Sequence, residues 1–302
     1  MKRTTLKLLA LSAFAASGLL TTYARAVEPV PVVASFSILG DLVKVVGGDR
    51  VAVSTLVGPD ADAHAFEPKP SDAKILLASK LMVVNGLHFE PWAEKLAKSA
   101  NFKGDIVVTS KGVKPRAMPD EEGHGHDTDP HAWQNPNNVI LYVRSIAAGL
   151  AKADASGAAT YKANAEAYVK ELQALDASIR TQLAAIPMAK RKVITSHDAF
   201  GYFAAQYKVT FLAPQGVNTD AEPSAKEVAQ LIRQIKREKV RAVFIENMRN
   251  PKMLEQLSKD AGATVGGALY SDALSGGDPA GSTYLKMMNH NLMQLVAGMK
   301  LN

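Results

Sequence analysis

Apolar positions recur along the chain with two alternating periods. Short β-branched or apolar runs at 30–35, 51–56, 81–85 and 105–108 read as buried strands. Between them, residues 38–46, 72–78 and 92–99 carry the spacing of short helices, the first ended by Gly47-Gly48 and the second capped by Ser71. A further helix is predicted from Asn135-Pro136 to about Ala153. The alternation returns in the second half. Strands are predicted at 192–196, 208–212, 240–245 and 263–268, with helices at 198–206, 224–236 and 252–260, the second of these starting from a capping Ser224. A closing helix covers 283–299. Strand–helix alternation of this kind implies a parallel sheet with helices on its faces.

One stretch between the halves differs from the rest. Residues 159–186 contain no Gly or Pro, and Tyr161, Ala165, Tyr168, Leu172, Leu175, Ile179, Leu183 and Ile186 follow one another at steps of three and four. As a helix it would be about 42 Å long at 1.5 Å per residue. It has no e/g charge pattern of a coiled coil, and its length suits a strut between two lobes. The predicted fold class is therefore α/β, with two parallel-sheet α/β lobes bridged by one long helix. The expected boundaries are 27–155 for the first lobe, 156–186 for the linker helix and 187–302 for the second lobe.

The first 26 residues change how composition is read. Lys2, Arg3 and Lys7 flank the start of an apolar stretch at 8–20, and Ala24-Arg25-Ala26 is a small-x-small cleavage site. The segment is expected to be a signal peptide cut after Ala26, its apolar core being too short to span a membrane stably. The chain has no Cys, so neither a cysteine lipid anchor nor disulfides nor thiolate chemistry is expected. Export to a bacterial periplasm is the predicted localisation. The leader holds four of the 35 Lys and Arg, leaving 31 against 29 acidic residues. The basic balance of the whole chain thus belongs largely to the leader, and no nucleic-acid partner is called for.

Candidate chemistry lies in the loops. His64 follows the second predicted strand. His131 sits in Asp129-Pro130-His131-Ala132-Trp133, where the chain regains order after the acidic, Gly/Pro-containing loop at 115–130. His197 ends the strand at 192–196, and Asp272 lies in Tyr270-Ser271-Asp272-Ala273-Leu274. Ligands of such sheets bind beyond the carboxyl ends of strands. Three imidazoles and one carboxylate form a complete four-coordinate set for a divalent transition metal, two from each lobe. With seven His in the chain, several other sets can be drawn from spacing alone. His88, beside Phe89 and Trp92, is expected to pack or line; His290 falls inside the closing helix. His124 and His126 form a short His tract that either captures a cation weakly or is plain loop. Ser196-His197-Asp198 cannot form a hydrolase triad, since adjacent residues do not converge as that chemistry requires; Ser196 or Asp198 is expected to cap a helix.

These motifs resemble the zinc/manganese-binding substrate-binding proteins of bacterial ABC transporters (the cluster A-I type). The resemblance covers essentially all of the chain after the leader. It is carried by Asp62-Ala63-His64 with Glu67-Pro68 and Pro70-Ser71-Asp72, by Asp129-Pro130-His131-Ala132-Trp133, by Thr195-Ser196-His197-Asp198-Ala199-Phe200, by Glu222-Pro223-Ser224 and by Tyr270-Ser271-Asp272-Ala273-Leu274. It implies metal ligands at His64, His131, His197 and Asp272, and two lobes joined by one rigid helix. It also implies a monomer that delivers a divalent ion to a membrane permease. Two departures stand out: Ala63 replaces the family's usual Pro, and the His-rich loop is short. Three neutral imidazoles favour Zn(II) as the transported ion, with Mn(II) the alternative, because manganese sites carry more oxygen ligands. Glu246 is a candidate outer carboxylate. Small changes on binding are expected, with ordering near 123–129. Competing readings are a zinc-dependent hydrolase, with Asp272 as base in place of ligand, and a surface adhesin, disfavoured by the missing anchor Cys. No enzymatic activity is expected.

Overall fold

A computed structural model describes residues 28–117, 128–214, 216, 219 and 224–302. The predicted signal peptide, the His124/His126 tract and Glu222-Pro223 lie outside the described residues. The first lobe is built from β1 (Val30–Phe36), α1 (Ser37–Gly47), β2 (Val51–Val57), α2 (Pro70–Leu77), β3 (Leu81–Val84), α3 (Pro91–Ser99), β4 (Asp105–Val108) and α4 (Pro136–Ala153). Its strands pair in parallel in the order β2-β1-β3-β4. The long helix α5 (Ala158–Ala184) comes next in the chain. The second lobe comprises β5 (Lys192–Ile194), α6 (Gly201–Tyr207), β6 (Thr210–Leu212), α7 (Ala225–Glu238), β7 (Ala242–Val243), α8 (Lys252–Ala261), β8 (Thr264–Val265) and α9 (Tyr284–Met299). Its sheet is again parallel, in the order β6-β5-β7-β8. Each lobe therefore has the same strand order, with its first strand inside the sheet and its second at one edge.

Helix α5 is the strut foreseen from its spacing. All eight residues named for its apolar face are buried, Ile186 just beyond its end. Burying each Leu or Ile of that face contributes about 1.5–3 kcal/mol. The helix packs against α1 and α4 of the first lobe and against α6 and α9 of the second, so one helix touches both lobes. Its 27 residues span about 40 Å.

Local details differ where a side chain found a better partner. Ser71 does not cap α2. The helix begins at Pro70, two residues earlier than predicted, and the Asp72 carboxylate accepts the backbone N–H of Lys69 at 2.7 Å. Helix α6 starts at Gly201, three residues later than its apolar pattern predicted, so neither Ser196 nor Asp198 caps it. The intervening turn carries His197, and Ser196 is drawn instead toward Glu246. Gly201 itself marks a close approach between lobes: a Cβ there would collide with the Asp129 carboxylate and the Arg116 guanidinium. The strands of the second sheet are shorter than their apolar runs, β7 and β8 being two residues each. Among the described residues no helix is long and apolar enough to cross a membrane.

Candidate metal centre

The four residues singled out in the sequence come together. One ligand atom from each of His64, His131, His197 and Asp272 lies within 4.8 Å of the other three. They arrive from the loop after β2, the segment after β4, the end of β5 and the segment after β8. All are carboxyl-end positions of parallel sheets, where helix–strand topology leaves a crevice. His64 Nε2 is 3.3 Å from His131 Nε2 and 3.5 Å from Asp272 Oδ2. His131 Nε2 is 3.6 Å from Asp272 Oδ1, and His197 Nε2 is 3.0 Å from Asp272 Oδ2. A tetrahedral ion with bonds of 2.0–2.1 Å holds its ligand atoms about 3.3–3.4 Å apart; these four separations, 3.0 to 3.6 Å, are close to that. Asp272 Oδ1 has no hydrogen-bond partner although it is buried, a cost that a bound cation would remove.

Each imidazole is oriented differently. His131 Nδ1 is 2.9 Å from Asp129 Oδ1, which also accepts the His131 backbone N–H at 2.9 Å, while Asp129 Oδ2 accepts Arg116 at 3.1 Å. His197 Nδ1 is 2.5 Å from Glu246 Oε2. Glu246 is itself pinned by the backbone N–H groups of Ser196 and His197 at 2.9 and 3.1 Å and by the Ser271 hydroxyl at 2.7 Å. Carboxylate–imidazole pairs of this kind set the tautomer and present Nε2 to an ion. His64 is held through its main chain: Asp62 Oδ1 accepts its N–H at 2.9 Å. The Phe89 ring meets the His64 ring edge-on at 4.6 Å, and Phe36, Phe89 and Trp133 form an aromatic wall behind His64 and His131.

Electrostatics follow from burial. Burial opposes protonation of His197, but the Glu246 and Asp272 carboxylates overcome it and hold its pKa well above the usual imidazole range. Burial would raise Asp272, yet the surrounding imidazoles, His197 first, hold it well below the usual carboxylate range. Burial dominates at His64 and lowers its pKa. His131, His197 and Asp272 have fully buried side chains, and His64 is 7% exposed.

His88 and His290 lie away from the four. His88 is exposed, in a left-handed turn with φ 60°, and its neighbour Phe89 does the lining expected of it. His290 reaches the carbonyl of Ala268 at 2.8 Å. Reading by residue type gave Asp129 and Asp62 no role. The signal was there as a repeat, Asp-x-His at 62–64 and 129–131, where each Asp takes the His backbone N–H.

Known proteins resemble the chain over most of its length. The family model described as "Zinc-uptake complex component A periplasmic" matches residues 32–298. The chain is 33% identical over 272 residues to the manganese-binding lipoprotein MntA of Halalkalibacterium halodurans, covering 90% of this chain and 89% of that one. It is 34% identical over 270 residues to the iron-binding protein YfeA of Yersinia pestis, covering 88% and 85%. The solved periplasmic zinc binding protein TroA from Treponema pallidum superimposes with a TM-score of 0.82 at 28% identity, over 90% of this chain and 99% of that one.

Proposed function

The chain belongs to the periplasmic zinc-uptake component family, the substrate-binding proteins of metal ABC transporters, and from that premise we propose that it captures a single Zn(II) ion between its lobes and delivers it to a membrane permease. His64, His131, His197 and Asp272 are the proposed ligands. The observation that carries this reading is their convergence within 4.8 Å, with Asp272 Oδ1 buried and without a hydrogen-bond partner. The relatives named above are described as binding manganese, iron and zinc, so the choice of ion rests on donor chemistry. Three imidazole nitrogens and one carboxylate suit a borderline ion better than manganese, which takes more oxygen.

The same donor count supports a carrier over a hydrolase. Catalytic zinc keeps a position open for water beside three protein ligands. Here four protein groups close on one point and their side chains are almost entirely buried. The loaded protein is proposed to act as a monomer. The test is metal analysis of protein purified without added metal, paired with competitive titration of Zn(II) against Mn(II). Stoichiometric zinc and tighter zinc binding are expected; tighter manganese binding would reassign the cargo, and absence of any tight site would end the reading.

A further inference from the structure

The two Asp-x-His turns are alike in one respect and different in another. In both, the Asp Oδ1 accepts the histidine backbone N–H at 2.9 Å and the Oδ2 accepts an arginine. For Asp129 that arginine is Arg116, in the same lobe. For Asp62 it is Arg249, which follows β7 in the other lobe, at 2.9 Å; Thr219 of that lobe adds its hydroxyl to the same oxygen at 2.8 Å. Asp62 therefore holds the main chain of a proposed ligand with one oxygen and the opposite lobe with the other.

His64 is the ligand for which such a hold matters. Among the described residues no carboxylate touches the outer nitrogen of its ring, unlike His131 and His197. It sits in a loop without helix or strand, and it is the one proposed ligand with a partly exposed side chain. The same loop is stitched across a second time. Asp60, with φ 56°, donates its N–H to the Leu274 carbonyl at 2.9 Å, and its carboxylate accepts from Asn247 at 2.7 Å and from the Gly276 N–H at 2.9 Å. Three of the four ligands are fixed by fully buried contacts. The fourth is fixed by a strap at the rim.

We propose that Asp62 is a positioning residue which, by joining the His64 loop to Arg249 and Thr219, forms a strap whose strength sets the rate at which the bound ion leaves. The inference rests on the function proposed above. Opening the strap lets the loop carry His64 away, reducing four ligands to three, while the Glu246–His197 and Asp129–His131 pairs stay in place. The pair is partly buried, with 17% and 16% of the two side chains exposed, so truncating either member weakens the hold on the loop without removing a ligand.

The experiment measures Zn(II) release into excess chelator by stopped flow for the parent, Asp62→Asn, Arg249→Gln and the double variant, with Zn(II) capture rates measured beside them. Asn keeps an oxygen for the His64 N–H but lacks the charge. Each single variant is expected to release zinc about tenfold faster with capture changed by less than about twofold, and the double variant no faster than the worse single. Arg249→Lys should restore most of the parental rate, and the milder Thr219→Val should fall between. Release at the parental rate in both single variants, or effects that multiply independently, would overturn the strap. If the parent itself binds no zinc, the proposed function fails and the strap falls with it; if the parent binds and the variants release normally, only the strap fails.

Discussion

Replacing Glu246 by Gln removes a charge without removing volume, and the hydrogen bonds around it dictate the consequence. Glu246 Oε1 accepts two backbone N–H groups, from Ser196 and His197, while Oε2 accepts the Ser271 hydroxyl and faces His197 Nδ1. A glutamine has one oxygen to give. If that oxygen stays with the two backbone donors, which have no alternative, the amide NH2 faces Ser271 and His197. The serine hydroxyl can rotate to accept, but His197 Nδ1 must then become an acceptor. The ring is then left with its one proton on Nε2, the nitrogen 3.0 Å from Asp272 that would bind the ion. The wrong tautomer is thereby favoured, and metal binding must reverse it. Loss of an outer carboxylate costs roughly 10–100-fold in metal affinity, or ~1.4–2.7 kcal/mol. Competitive titration of Zn(II) against a chelator of known affinity measures this directly, and nitrogen NMR of labelled histidine reports which nitrogen carries the proton. Affinity within twofold of the parent, with Nδ1 still protonated, would mean that Glu246 does not set the His197 tautomer.

Removing His197 itself by His197→Ala strips one proposed ligand; titration should show zinc affinity reduced by more than the roughly 10–100-fold that loss of an outer carboxylate costs, and undiminished affinity would remove His197 from the ligand set. His197→Glu should narrow the preference for Zn(II) over Mn(II), read from the same competition, because it trades a nitrogen donor for oxygen. Since His197 is held protonated in the metal-free site and His64 is not, zinc binding at pH 7 should release about one proton, measurable with an indicator dye in weak buffer, and affinity should fall as pH falls. Burial pushes Glu90 up to about 7; its contribution to stability is fully present below the ordinary carboxylate range and is lost as pH rises through about 7, about 3 kcal/mol at ~1.4 kcal/mol per pKa unit, so denaturant midpoints of metal-free Glu90→Gln should fall less than the parent's between pH 5 and 8. Scattering curves of free and zinc-loaded protein should nearly superimpose, and a large closure would contradict a rigid α5.

Periodicity made the layers and the long helix legible because burial on one face leaves a repeat in the sequence. The apolar positions of α5 were all recovered as buried residues. Boundaries were read less well where a polar group overrode propensity, as at Asp72 in α2 and in the turn holding His197 before α6. His64, His131, His197 and Asp272 could be named from loop position and motif, but their mutual distances could not, since they lie in four separate segments. Glu246 was visible as a carboxylate after a strand, whereas its grip on two backbone N–H groups depends on β5 and β7 being neighbours. Asp62 and Arg249 are separated by 187 positions, and no local pattern joins them.

The bonds that cross between the lobes fall into two classes, and their difference bears on how an ion leaves. Deep contacts include Trp133 Nε1 and Gln134 Nε2 on the Ser271 carbonyl at 2.8 and 2.7 Å, and the Leu274 N–H on Ser37 Oγ at 3.0 Å, all buried. Separating the lobes as rigid bodies would break these together, at about 0.5–1.5 kcal/mol apiece once water replaces the partner, and would expose the apolar surface packed around them. It would also slide α5 against helices of both lobes. The rim contacts of Asp60 and Asp62 are exposed or only partly buried, so water can replace them at far lower cost. The cheaper motion is thus the local one proposed above, in which the His64 loop lifts while the sheets, the strut and the three buried candidate ligands stay where they are. A carrier built this way can hold its ion with four donors and still surrender it without unfolding its own interface.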